Sequence, residues 1–153
     1  MADTKEQFYS DLSIAKQTEL EVAELLKEKF GLSDIRMNND YKYDFVGLQK
    51  GKEFSFEVKE DFTCAQTGNI GIEYSCRGRD SGIARSKADF YVIKAHLKSG
   101  FEIILIPSKT LKELISNNKF FRTVQGGSRE SKSFNYLFKR EVLEKAGKII
   151  HRA

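Results

Sequence analysis

The sequence predicts an α/β fold in which a central mixed β-sheet is flanked by helices. Three stretches predict it. Residues Asp11 to Phe30 repeat their apolar positions at helical spacing. Tyr41 to Asp61 alternates aromatic and branched residues with polar ones on both sides of Lys50-Gly51, the pattern of a half-buried hairpin. Phe90 to Ala95 and Phe101 to Pro107 are near-continuous apolar runs of strand length, which suits a sheet centre covered on both faces.

The first helix places Ala15, Val22, Ala23, Leu26 and Phe30 on one face, and Gly31 closes it. Glu19 falls on that same apolar face, where a carboxylate is costly unless paired or linked to a metal. It reads either as a boundary residue or as a functional acid. Asp34 to Met37 makes a short first strand. The hairpin then folds about Lys50-Gly51, pairing Gln49 with Lys52 and Leu48 with Glu53, so that Asp44 faces Glu57. Tyr43, Phe45, Phe54, Phe56 and Val58 share the core side; Asp44, Glu57 and Lys59 share the other.

Residues 62–69 read as a loop and Ile70 to Cys76 as a strand presenting Glu73. The segment from Arg77 to Phe90 gathers basic residues around a Ser81-Gly82-Ile83 turn. After the two apolar strands, Pro107 is the only proline, and Ser108 is expected to cap a helix to about Asn117 with Leu111, Leu114 and Ile115 on one face. Gly126 to Arg129 reads as a loop, Phe134 to Phe138 as a short strand, and Glu141 to Ala146 as a final helical turn or two. Core packing is the expected use of Phe134 and Tyr136, with stacking on exposed bases as the other.

A chain of 153 residues, 40% hydrophobic and 31% charged, suits one globular domain, 1–153. No apolar run reaches the roughly 20 residues of a membrane span, and the polar start lacks the order of a signal peptide, so a cytoplasmic location is expected. Cys64 and Cys76 are expected to be free thiols, since their spacing matches no zinc pattern. His96 and His151 have no Ser or Cys partner that the sequence singles out. Residues 1–108 carry 15 basic and 18 acidic side chains, whereas residues 109–153 carry 11 and 4. A basic C-terminal third beside a carboxylate-rich part suits a phosphate-binding surface next to a metal site, although a merely solvated basic face would have the same composition.

Like charges directly across a strand pair destabilise it, so Asp44 facing Glu57 calls for a cation. A hard divalent ion held by carboxylate oxygens supplies one, and Lys59 on the same face offsets phosphate charge. Ordinary surface salt bridges would be the plain alternative. Asp44, followed after a turn by Glu57-Val58-Lys59, resembles the PD-(D/E)XK nuclease superfamily, which includes restriction endonucleases and Holliday-junction resolvases. Tyr43 stands where the family name has Pro.

The resemblance covers about Thr18 to Pro107 and implies a restriction endonuclease-like αβββαβ core, with 108–153 as a basic extension. Gly68-Asn69-Ile70, Glu73, Ser81-Gly82-Ile83 and Lys87-Ala88-Asp89 also look like small phage-type members. It implies a Mg²⁺- or Mn²⁺-dependent endonuclease acting on DNA, branched and single-stranded forms included. Asp44, Glu57 and the Val58 backbone carbonyl would be metal ligands, Glu19 would reach the ion through water, and Lys59 would serve the attacking water. Arg77, Arg79, Ser81, Arg85 and Lys87 lie where such proteins meet the nucleic-acid backbone, and Arg122, Arg129 and Lys132 extend the basic surface. Cutting both strands implies a homodimer. Two other readings remain: a non-catalytic nucleic-acid-binding module of the same fold, and an RNA-processing nuclease.

Overall fold

The computed structural model describes the backbone of residues 5–38, 40, 42–126 and 132–153, and side chains from residue 14 onward. In chain order the elements are α1 (Lys5–Phe30), β1 (Ser33–Met37), β2 (Phe45–Gln49), β3 (Lys52–Asp61), α2 (Cys64–Thr67), β4 (Asn69–Cys76), β5 (Arg79–Asp80), a 3₁₀ turn (Gly82–Ala84), β6 (Phe90–Leu97), β7 (Gly100–Pro107), α3 (Ser108–Ser116), β8 (Arg122–Gly126), β9 (Ser133–Lys139), α4 (Arg140–Ala146) and β10 (Lys148–Arg152). The structure is mixed α/β. A six-stranded sheet in the order β1-β2-β3-β6-β7-β10 forms its centre, and a four-stranded sheet, β5-β4-β9-β8, lies beside it. Among the described residues, the β3–β6 pair is the one parallel pair of the central sheet. Among the described residues, no helix is long and apolar enough to cross a membrane.

The hairpin adopts the expected register, with Leu48 opposite Glu53 and Gln49 opposite Lys52. Lys50 and Gly51 both take positive φ, 50° and 77°. This is the twist that a two-residue connection needs, achieved although Lys is a poor residue for it. The pleat then divides the core. Phe45 and Phe56 stack at 5.0 Å on the face that α1 covers with Val22, Ala23 and Leu26. Tyr91, Ile93, Ala95, Ile104 and Ile106 face the other way, against Ile70, Ile72 and Phe138 of the second sheet, Leu111 of α3 and Leu143 of α4. The strands β6 and β7 are therefore covered on both faces, as their apolar runs require.

Several expectations need correction. Helix α1 begins at Lys5, not Asp11, and Ala15 is exposed because a cavity separates that end of α1 from the end of β3. The 62–69 loop contains α2. Its first turn is fixed by Asp61, whose Oδ1 accepts the Cys64 N–H and the Thr63 hydroxyl, both at 2.9 Å. Ser108 does not cap α3 with its side chain. Its hydroxyl is buried without a hydrogen bond, while its N–H donates to the Asp89 carbonyl at 2.9 Å. The helix-bearing segment expected between the hairpin and Phe90 holds only four-residue α2 and the 3₁₀ turn as helix, and part of it enters β4 and β5. Chain beyond Pro107 contributes β10 to the central sheet and two strands to the second.

Gly82 fixes how the 3₁₀ turn sits on β4. It has φ +50°, and an added Cβ would fall on the Glu73 carbonyl oxygen, a backbone atom that cannot move aside cheaply. Gly82→Ala is expected to cost on the order of 3 kcal/mol, read as a melting temperature several degrees lower. An unchanged melting temperature would mean that the turn is free to reposition.

Candidate active site

Strand β2 starts at Phe45, paired with Phe56; Asp44 adds one more backbone bond but out of that register, so it does not pair directly with Glu57 as expected. The Asp44 N–H donates to the Phe56 carbonyl at 2.8 Å, and the Asp44 carbonyl accepts the Asn38 N–H at 2.8 Å. Beyond that point the side chain takes over: Asp44 Oδ2 accepts the Val58 N–H at 2.7 Å. The Asp44 carboxylate is thus held at the open edge of β3. Carbonyls two residues apart on a strand point the same way, so the Val58 carbonyl faces the same edge as that of Phe56, which is the edge Asp44 occupies.

Glu57 follows on β3 and is 8% exposed. Its Oε2 is buried without a hydrogen-bond partner, and its Oε1 lies 4.0 Å from Lys59 Nζ. Burial, followed by the Asp44 charge, outweighs the nearby Lys59 ammonium and pushes the Glu57 carboxyl up to about 7. Glu19 arrives from α1, one turn before Val22 and Ala23 enter the core. Burial and then Asp44 also raise its carboxyl above the ordinary value, while Lys16 Nζ at 3.3 Å partly offsets them. The three acids expected to act together are therefore brought within electrostatic reach of one another.

Their mutual repulsion leaves a deficit of positive charge that a hard cation would relieve. The orphaned Glu57 oxygen, the Asp44 carboxylate and the outward Val58 carbonyl are hard oxygen donors of the kind Mg²⁺ or Mn²⁺ takes, with water completing the shell. Among the described residues, no three His, Cys, Asp and Glu side chains already converge as a ligand set. Two carboxylates and one carbonyl are nonetheless a sufficient protein contribution for such an ion. The donor set fits.

The supporting segment is tied in by backbone. The Lys42 carbonyl accepts the Lys87 N–H at 2.8 Å and the Ser86 hydroxyl at 3.3 Å, which brings exposed Lys87 beside the Asp44 loop. Asp89 pins β3, its Oδ2 accepting the Ser55 N–H at 2.9 Å and the Ser55 hydroxyl at 3.1 Å. Arg77 and Arg79 are exposed at the β4–β5 turn, and exposed Lys132 precedes β9 at the same end of the second sheet. Arg122, opposite Leu137, sits at the other end of β9, over the Phe121 ring at 5.8 Å. Arg85 is exposed, but the Ser81 hydroxyl is buried, not presented to solvent. Arg129, Ser128 and Gly127 lie outside the described residues. The expected basic residues thus fall in separate places, with Lys87 bonded through its backbone to the loop before Asp44.

Sequence reasoning missed several neighbours. Tyr91 stands opposite Glu57 in the parallel β3–β6 register, its phenol pushed upward by burial and then by Glu57. Its one signal was a phenol-bearing residue in an otherwise apolar strand start. Glu60 is held on both oxygens, by the Thr18 hydroxyl at 2.7 Å and by His96 Nε2 at 2.6 Å. Partners this far apart in sequence leave no local signature. Compared with protein-family models and with curated proteins, the chain matches none.

Proposed function

We propose that this chain is a metal-dependent nuclease of the PD-(D/E)XK type, hydrolysing phosphodiester bonds in DNA with structural rather than strong sequence selectivity. The observation that carries the reading is the orphaned, buried Glu57 oxygen beside Asp44, on the strand edge next to Lys59. The order α1, β1, the β2–β3 hairpin, then β6 parallel to β3 agrees with a restriction endonuclease-like core. Its departure is the second helix, whose place is taken by α2 and part of the second sheet.

Asp44, Glu57 and the Val58 carbonyl would hold Mg²⁺ or Mn²⁺, with Glu19 acting through water. When bound, such an ion polarises the scissile phosphate and lowers the pKa of a water. Lys59, 45% exposed on its side chain, reaches outward to orient the attacking water and offset phosphate charge. The water oxygen forms a bond to phosphorus, the bond to the leaving sugar oxygen breaks, and that oxygen takes a proton. One such site cuts one strand, so double-strand cleavage would use a homodimer.

The bond from the Val58 N–H to Asp44 favours a second reading, in which Asp44 only closes the strand end of a non-catalytic binding module. Purified protein incubated with Mg²⁺ or Mn²⁺ decides between them. Cleavage of linear, branched or single-stranded DNA that stops in EDTA is the expected result, with matched RNA cut more slowly. If every substrate stays intact, the binding module stands instead; if RNA is preferred, the enzyme is an RNA-processing one.

A further inference from the structure

Phe62, the residue after β3, leaves 58% of its surface in water, and its surroundings hold it there. Asp61, the residue before it, anchors the chain that follows, accepting from Thr63 and Cys64 on one oxygen and from the Gly71 N–H at 3.0 Å on the other. One face of the ring stacks on His96, with centroids 4.4 Å apart and planes 11° from parallel. His96 is fixed in turn by Glu60, and Glu60 by Thr18 of α1. An exposed aromatic ring mounted on this chain of contacts does not need to be ordered when something stacks on it.

Phe62 lines a cavity of about 390 Å³ with Thr18, Glu19, Val58, Lys59 and Glu60. That volume lies within the range of small-ligand sites. Glu19, Val58 and Lys59 also belong to the candidate active site, so the two adjoin. The two carboxylates in the lining disfavour a phosphate inside the cavity, whereas a nucleobase is uncharged and offers N–H donors to them, the imide N3–H in the case of thymine. Lys59 then marks the side on which the phosphate lies. A base paired within a duplex stack cannot present its face to Phe62, but an unpaired one can.

We propose that this cavity receives one unpaired nucleobase, stacked on Phe62, from the strand whose neighbouring phosphate lies at Asp44, Glu57 and Lys59. The inference rests on the nuclease reading and narrows its substrate to single strands, flaps and other sites with an unstacked base.

The sequence contains no tryptophan, so Phe62→Trp introduces a single indole at the cavity. In EDTA, where metal-dependent cleavage stops, single-stranded oligothymidylate should quench its emission. An abasic oligomer of equal length and a complementary duplex should not. Phe62→Ala should weaken single-strand binding, followed by anisotropy, between five- and a hundredfold, the loss expected for one stacked base, and leave duplex binding unchanged. The site is overturned if the single strand binds without quenching, if the abasic oligomer quenches equally, if Phe62→Ala binds as the wild type does, or if no oligonucleotide binds. Wild-type cleavage with Mn²⁺ is read separately. Cleavage without quenching removes only the base site, and quenching without cleavage removes the nuclease reading.

Discussion

Asp44→Asn lowers Mg²⁺-dependent cleavage of a labelled oligonucleotide by roughly 10²–10³-fold or more, with DNA binding retained. The size follows from removing one preorganised charged group from a site built on charge stabilisation. Retention of binding follows from the contacts of Asp44 itself. The amide oxygen of Asn still accepts the Val58 N–H now bonded at 2.7 Å, and the backbone bonds to Phe56 and Asn38 do not involve the side chain. The strand end therefore keeps its closure while one carboxylate charge disappears. Lys59→Ala should lose activity to a similar degree, because its ammonium, 4.0 Å from Glu57 Oε1, is the cation on this face nearest the orphaned acid. Cleavage rates are compared in Mg²⁺ and affinities by anisotropy in EDTA. An Asp44→Asn protein that cuts at the wild-type rate would return Asp44 to a purely structural part.

The acids were legible in the sequence because their placement follows from local rules. Once Lys50-Gly51 is a two-residue turn, strand alternation alone puts Asp44 across from Glu57 and Lys59 beside it; the structure keeps that register from Gln49 to Phe45, and Asp44 then bonds the Phe56 carbonyl, one residue short of the expected partner. The same holds for Glu19, whose helical phase relative to Val22 and Ala23 marks it as a misplaced carboxylate. Partnerships fixed by tertiary approach were not legible. Nothing local joins His96 or Thr18 to Glu60, since these contacts span 36 and 42 positions. Strand β10 escaped notice for a related reason: KIIHR is short and charged at both ends, and its order comes from pairing with β7. The segment after Asp61 looked like a loop because its helix is made by an aspartate outside it, not by its own composition.

Glu57→Gln should stabilise the metal-free protein at pH 8 while abolishing cleavage. The ordinary carboxyl value of 4.5 is raised to about 7 in the folded chain, so between these pH values the folded state holds a proton that the unfolded state has released. Stability therefore falls as pH rises from about 4.5 to 7, and the full penalty persists above 7. A shift of this size corresponds to about 3 kcal/mol at most, at 1.36 kcal/mol per pH unit. A neutral isostere escapes that penalty, so in EDTA at pH 8 the variant should melt several degrees above the wild type. Near pH 4.5, where Glu57 is protonated in the folded protein, the two should nearly coincide. Mn²⁺ at pH 8 should raise the wild-type melting temperature by mass action and leave the variant almost unmoved, since the ion relieves the charge that the substitution has already removed. If Glu57→Gln is instead less stable than the wild type at pH 8, the Glu57 charge is already satisfied within the protein, and the argument for a cation at this edge loses its main support.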